Sequence, residues 1–200
     1  MKKGRLEAFS DGVIAIIITI MVLEIKVPEH GSDLQSLIPI LPFFLSYVLS
    51  FAYIGIYWNN HHHMLYLVDS ITGGALWANL NLLFWLSLIP FATEWMANNH
   101  FAAKPVAVYG IILIMCGIAY TILAYILARH SGKNSELTQA LGRDWKGKLS
   151  VTIYIIGVVS AFWYPRVACV LYVLVACVWF IPDKRMEKKI IHRGSPATKE

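Results

Sequence analysis

Apolar and polar positions divide the chain into about six apolar stretches, near residues 7–27, 36–60, 70–95, 105–128, 149–165 and 167–182. Charge, Pro, Gly or Asn marks each break between them. A helix needs roughly 20 mostly apolar residues to cross the hydrocarbon core, because every backbone amide there has to be satisfied within its own segment. The pattern predicts an all-α integral membrane protein with six transmembrane helices, the last two short and joined by a tight Tyr164-Pro165-Arg166 turn.

Composition agrees with lipid as the main solvent. Of 200 residues, 58% are hydrophobic and 14% charged, more apolar surface than one soluble core buries. Basic residues orient the bundle, since Lys and Arg in short loops stay cytoplasmic. Six spans put both termini on one side; with that side inside, fourteen of the seventeen Lys and Arg are cytoplasmic, leaving Lys26, Lys104 and Arg166 outside. The expected location is the plasma membrane, multi-pass, with a six-helix domain at 1–183 and a basic cytoplasmic tail at 184–200. The net charge of +5 then reads as topology and contact with anionic lipid at the cytoplasmic face, with no nucleic acid required.

Cys116, Cys169 and Cys177 fall inside apolar stretches without metal or redox spacing, and read as small hydrophobes. Lys2, Lys3 and Arg5 before an apolar run resemble a signal peptide, but Asp11 interrupts it and no small-residue cleavage site follows, so an uncleaved first helix is expected. Between Arg129 and Lys148, the spacing of Leu137, Leu141 and Trp145 predicts a short interfacial helix in a cytoplasmic loop. No internal repeat of the kind that builds many secondary transporters is visible.

Candidate chemistry concentrates in the first helix. Arg5, Ser10 and Asp11 sit at or inside its cytoplasmic end, and an intramembrane carboxylate is costly unless paired. Arg5 and Asp11 are about 240° apart around a helix, so their partners have to come from other helices. The candidates are the His61-His62-His63 run and the Trp77, Asn79 and Asn81 group. The plainer alternative makes Arg5 a snorkelling anchor and Asp11 a helix-end charge near water. Consecutive histidines point about 100° apart and do not chelate one ion together, so no structural metal is expected.

Ile16, Thr19, Ile20 and Leu23 follow the spacing of a single helical face. Around a symmetry axis they would stack as apolar rings that close a pore by dewetting, with a Thr ring offering hydroxyl oxygens to a cation. An ordinary packing stripe has the same spacing. No Thr-Val-Gly-Tyr-Gly filter, Gly-x-Ser-x-Gly, His-Glu-x-x-His or P-loop motif is present, so neither a carbonyl-cage filter nor an enzyme is expected, and no cofactor.

Arg5-Leu6-Glu7-Ala8-Phe9-Ser10-Asp11, opening a long aliphatic helix, resembles the Arg-x-x-x-Phe-Ser-Asp signature of the transmembrane protein 175 family of lysosomal and prokaryotic potassium channels. Trp58-Asn59-Asn60-His61-His62-His63 and Asn79-Leu80-Asn81 through Pro90-Phe91 resemble its second and third helices, although His63 stands where the family commonly has Arg. Beyond residue 105 the match is in hydropathy only. The resemblance implies a six-helix subunit, a pore lined by the first helix, and potassium preferred over sodium. It implies a homotetramer for a chain with one six-helix unit. It also places Ile16 at the isoleucine constriction, Thr19 at a pore threonine, and Ile20 and Leu23 at further apolar rings, with potassium permeating near Ile16 and Thr19. The signature with its partners, Arg5, Phe9, Ser10, Asp11, His61, His62, Trp77, Asn79 and Asn81, would hold that helix in place. Two other classes stay open: a proton-coupled cation transporter using Asp11 and the histidines, and a non-conducting membrane protein that binds partners or lipid.

Overall fold

The computed structural model describes residues 3–28, 33–132, 135–141 and 145–180. The basic tail expected at 184–200 lies outside the described residues. The chain runs through α1 (Gly4–Leu23), a 3-10 helix (Leu34–Ile40), α2 (Leu41–Tyr66), α3 (Gly73–Ser87), α4 (Ile89–Asn98), α5 (Ala103–Ser131), α6 (Glu136–Leu141), α7 (Trp145–Ala161) and α8 (Pro165–Phe180). The fold is all-α.

Among the described residues, α1, the 3-10 helix with α2, α3 with α4, and α5 are each long and apolar enough to cross a membrane. Helices α7 (17 residues) and α8 (16 residues) are shorter, about 25 Å each at 1.5 Å per residue. They form the closing hairpin, whose turn lies at 162–164 rather than at Tyr164-Pro165-Arg166, because Pro165 opens α8 and Arg166 is already inside it.

Two other expectations change. The 70–95 stretch is two helices, because Pro90 near the start of α4 donates no amide to the preceding turn and the ladder is reset at Leu88. The residues expected to form one interfacial helix separate: Leu137 is fully buried in α6, and Trp145 begins α7. Thr138 Oγ1 ties α6 back to the carbonyls of Ala128 and Gly132, at 3.2 and 2.8 Å, so α6 caps the end of α5.

Helix α5 is the hub, packing on α3, α4, α6, α7 and α8, while α1 packs on α2, α3 and α4. Association in lipid rests on close van der Waals fit, because tails solvate Leu as well as Leu does. Small residues accordingly occupy the contacts: Ala75, Ala78, Ala92, Ala119, Ala161 and Ala168 are buried. Polar links join the same helices. Ser50 on α2 meets Thr93 on α4 at 2.7 Å and Tyr109 on α5 at 2.9 Å, and Tyr53 donates to the Tyr172 carbonyl at 2.5 Å.

Gly110 and Gly157 sit against the ring of Tyr172, and this is why they lack side chains. A methyl group at Gly110 would meet the Tyr172 hydroxyl, its Cζ at 2.6 Å and Val158 Cγ2 at 2.8 Å. The ring is fully buried and its hydroxyl is engaged by the Val106 carbonyl at 3.3 Å, so it has little freedom to yield. Gly110→Ala is expected to cost about 2 kcal/mol by overpacking, lowering the melting temperature in detergent by roughly 5 °C. Gly55→Ala, where nothing lies within 4 Å, is the control that should not move.

Candidate functional site

Helix α1 presents two faces. Leu6, Ser10, Ile14, Ile17 and Met21 are buried against the bundle. Ile16, Ile20 and Leu23 are 58%, 43% and 76% exposed, and Thr19 is exposed with them. At 100° per residue, Arg5, Phe9 and Gly12 fall on the same stripe, and all three are exposed. Thr19 Oγ1 donates back to the carbonyls of Ala15 and Ile16, at 3.1 and 3.0 Å. A hydroxyl has one proton and two acceptor lone pairs, so this bond turns the oxygen's free electron density outward.

The buried face is held by a directed relay. Ser10 Oγ donates to the Leu6 carbonyl at 2.8 Å, which leaves its oxygen to accept from Asn79 Nδ2 at 2.9 Å. That contact fixes the orientation of the amide, so Asn79 Oδ1 is the acceptor facing His61 Nε2 at 2.7 Å. His61 therefore carries its proton on Nε2. All three side chains are buried, and the relay joins α1, α3 and α2 across their apolar interface.

Asp11 is exposed, and its partner is Trp58 on α2, whose Nε1 donates to Oδ1 at 3.0 Å. Trp58 also stacks on His62 at 6.1 Å between ring centres, and His62 is exposed. The three consecutive histidines thus diverge, with His61 inside, His62 outside and His63 half-buried. At the end of the site Lys3 Nζ donates to the carbonyls of Leu65 and Tyr66, at 3.1 and 3.3 Å. It caps the negative end of α2.

The structure therefore brings Ser10, His61 and Asn79 together and places Asp11 beside Trp58. Arg5, Phe9, Trp77 and Asn81 lie on outward surfaces instead, Trp77 being 75% exposed. Asn79 and Asn81 are about 200° apart on α3, so only one of them can face inward. Trp58 and Lys3 are the residues that motif reading left out of the site. Trp58 precedes His61 by three positions, a spacing that puts both on the α1-facing side of α2.

A family model described as endosomal/lysosomal potassium channel TMEM175 matches residues 5–90, the region that contains the relay and the Asp11–Trp58 pair. The chain is 59% identical over 190 residues to a potassium channel of Chryseobacterium sp. (strain P1-3), covering 95% of this chain and 98% of that one. It is 31% identical over 139 residues to the endosomal/lysosomal proton channel TMEM175 of Homo sapiens, covering 64% of this chain and 27% of the human one. The crystal structure of a lysosomal potassium-selective channel TMEM175 homolog from Chamaesiphon minutus matches with a TM-score of 0.79 at 28% identity, over 90% of this chain and 97% of that one. With the family model over residues 5–90, a relative 59% identical along nearly the whole chain and the fold in agreement, this chain belongs to the TMEM175 family.

Proposed function

We propose that the chain is the subunit of a potassium-conducting channel, assembled as a homotetramer around a pore lined by α1. The observation that carries this reading is the two-faced first helix. One side is locked into the bundle, while Ile16, Thr19, Ile20 and Leu23 stand exposed on the other. Rings of Ile16, Ile20 and Leu23 serve as a hydrophobic gate, and Thr19 offers oxygens to a partly dehydrated cation. Arg5, Asp11 and Asn81 are polar groups on outward surfaces of membrane helices. Such groups are costly in lipid, which favours positions covered by neighbouring copies or lining the aqueous path. The relatives named as potassium channels support the choice of ion.

The reading includes a passive protein without catalysis or cofactor, in the plasma membrane, with both termini cytoplasmic. It takes 1–183 as the channel domain and 184–200 as a basic tail at anionic lipid. Reconstituted vesicles test it. Potassium flux should exceed sodium flux and should proceed without a proton gradient, while N-methylglucamine should not pass. Equal sodium and potassium flux would remove the selectivity, and absence of any flux would remove the channel.

A second reading, proton passage, draws on the buried His61 and on animal relatives named as proton channels. A vesicle pH indicator distinguishes it: acidification driven by a pH step with potassium absent would favour protons.

A further inference from the structure

Away from α1, the protein carries a cavity of about 630 Å³ between α2 on one side and α5 and α7 on the other. Its walls are mostly apolar, with Ile56, Ile118, Ile122 and Val151 interleaved with aromatic rings along its length. Tyr53 and Tyr154 stand at one end; at the other Asn60, Gly147 and Lys148 meet, where α2 finishes and α7 begins. Ile118 and Ile122 are 40% and 43% exposed, so the groove is open along its side rather than sealed.

Two polar groups are left without partners there. Lys148 is exposed, and its ammonium has no hydrogen bond or ion pair among the described residues. Its neighbour Lys146 is held over the Trp179 ring at 6.0 Å. Deeper in, Tyr57 lines the groove beside Gly117, and its hydroxyl has no hydrogen-bond partner among the described residues. The adjacent Tyr120 hydroxyl, by contrast, donates to the Asn60 carbonyl at 3.4 Å. A phenolic hydroxyl in an apolar wall is a donor that lacks an acceptor.

From the order of these groups we infer that the groove is a binding site for one anionic phospholipid. Its headgroup phosphate pairs with Lys148, an ester carbonyl accepts from the Tyr57 hydroxyl, and an acyl chain lies along the apolar wall. The sequence of cation, donor and hydrocarbon from mouth to interior matches phosphate, ester and chain in such a lipid. Cationic groups near a membrane surface favour anionic over neutral lipids. The inference rests on the membrane placement of the helices but not on ion conduction.

Native mass spectrometry of the full-length protein, extracted from vesicles of mixed phosphatidylglycerol and phosphatidylcholine, reads the site directly. The wild type should retain phosphatidylglycerol several-fold over phosphatidylcholine. Lys148→Gln should bring the two lipids to near parity, and Tyr57→Phe should weaken both a few-fold while leaving the lipid-free melting temperature unchanged. Gly117→Leu, whose side chain extends into the groove, should abolish retention. Unchanged lipid ratios in Lys148→Gln, or unchanged retention in Gly117→Leu, would overturn the site. So would a Gly117→Leu protein that loses its oligomeric state instead of its lipid, because the groove would then be covered by a second copy. Potassium flux measured on the same preparations reports separately on the channel reading.

Discussion

Vesicles containing Ile16→Asn are expected to pass potassium about tenfold faster than the wild type and to lose most of their preference over sodium. Ile16 is 58% exposed on α1, so the exchange removes no packing from the core of the subunit. In a ring around the pore axis, four amides would hold water where four aliphatic chains exclude it. A fall of roughly 1.4 kcal/mol in the barrier at that ring gives the tenfold rise. Sodium gains more than potassium, since the more tightly hydrated ion is held back most by a dry constriction. Val22→Asn is the matched control: Val22 is also exposed, at 44%, but lies about 110° from the centre of the stripe. Equal fluxes for wild type and Ile16→Asn, or equal effects at positions 16 and 22, would show that the stripe does not line the path.

Asn79→Ala should be the most damaging substitution in the relay. It removes the acceptor of His61 Nε2 and the donor to Ser10 at once, in a site without access to water. Ser10 keeps its bond to the Leu6 carbonyl, so the cost falls mainly on the buried imidazole, plus the space left by the amide. A buried donor without a partner costs about 1–3 kcal/mol. Interhelical hydrogen bonds in membranes contribute only about 0.6 kcal/mol on average by double-mutant cycles, so the stranded donor outweighs the lost bond itself. The melting temperature in detergent is expected to fall by roughly 5–10 °C, and a smaller share of the protein should run as the oligomer. Asn81→Ala, on the outward side of α3, should leave the melting temperature of the dissociated subunit unchanged. Equal losses at both positions would mean that the relay does not hold α1.

Much of this site was legible because the bilayer restricts the options. A long apolar segment in lipid becomes a helix, so spacing alone put Ile16, Thr19, Ile20 and Leu23 on one face and marked Arg5 and Asp11 as charges in need of partners from other helices, with the histidine run, Trp77, Asn79 and Asn81 as candidates. The partners themselves were less legible. His61, His62 and His63 look equivalent as letters, and only the rotation of α2 against α1 sends the first inward and the second outward. Asp11 pairs with Trp58, a contact between residues 47 positions apart that no local pattern contains. The Tyr172 ring wedged against Gly110 and Gly157 was hidden for the same reason: each residue is unremarkable in its own helix, and the fit exists only where three helices cross.

Sequence by itself determined the class of the protein, its run of apolar helices and the common face of Ile16, Thr19, Ile20 and Leu23, because hydrocarbon enforces backbone pairing within each segment and a 3.6-residue repeat sorts side chains by face; that this face is the exposed one came from the packing. The signature opening that helix was likewise plain from local order. Tertiary structure decided which polar groups meet, that the third span breaks at Leu88, that Leu137 is buried rather than interfacial, and that α2 stands apart from α5 and α7 to leave a groove. These depend on the depth and rotation at which helices pack, which close van der Waals fit sets and hydropathy does not encode.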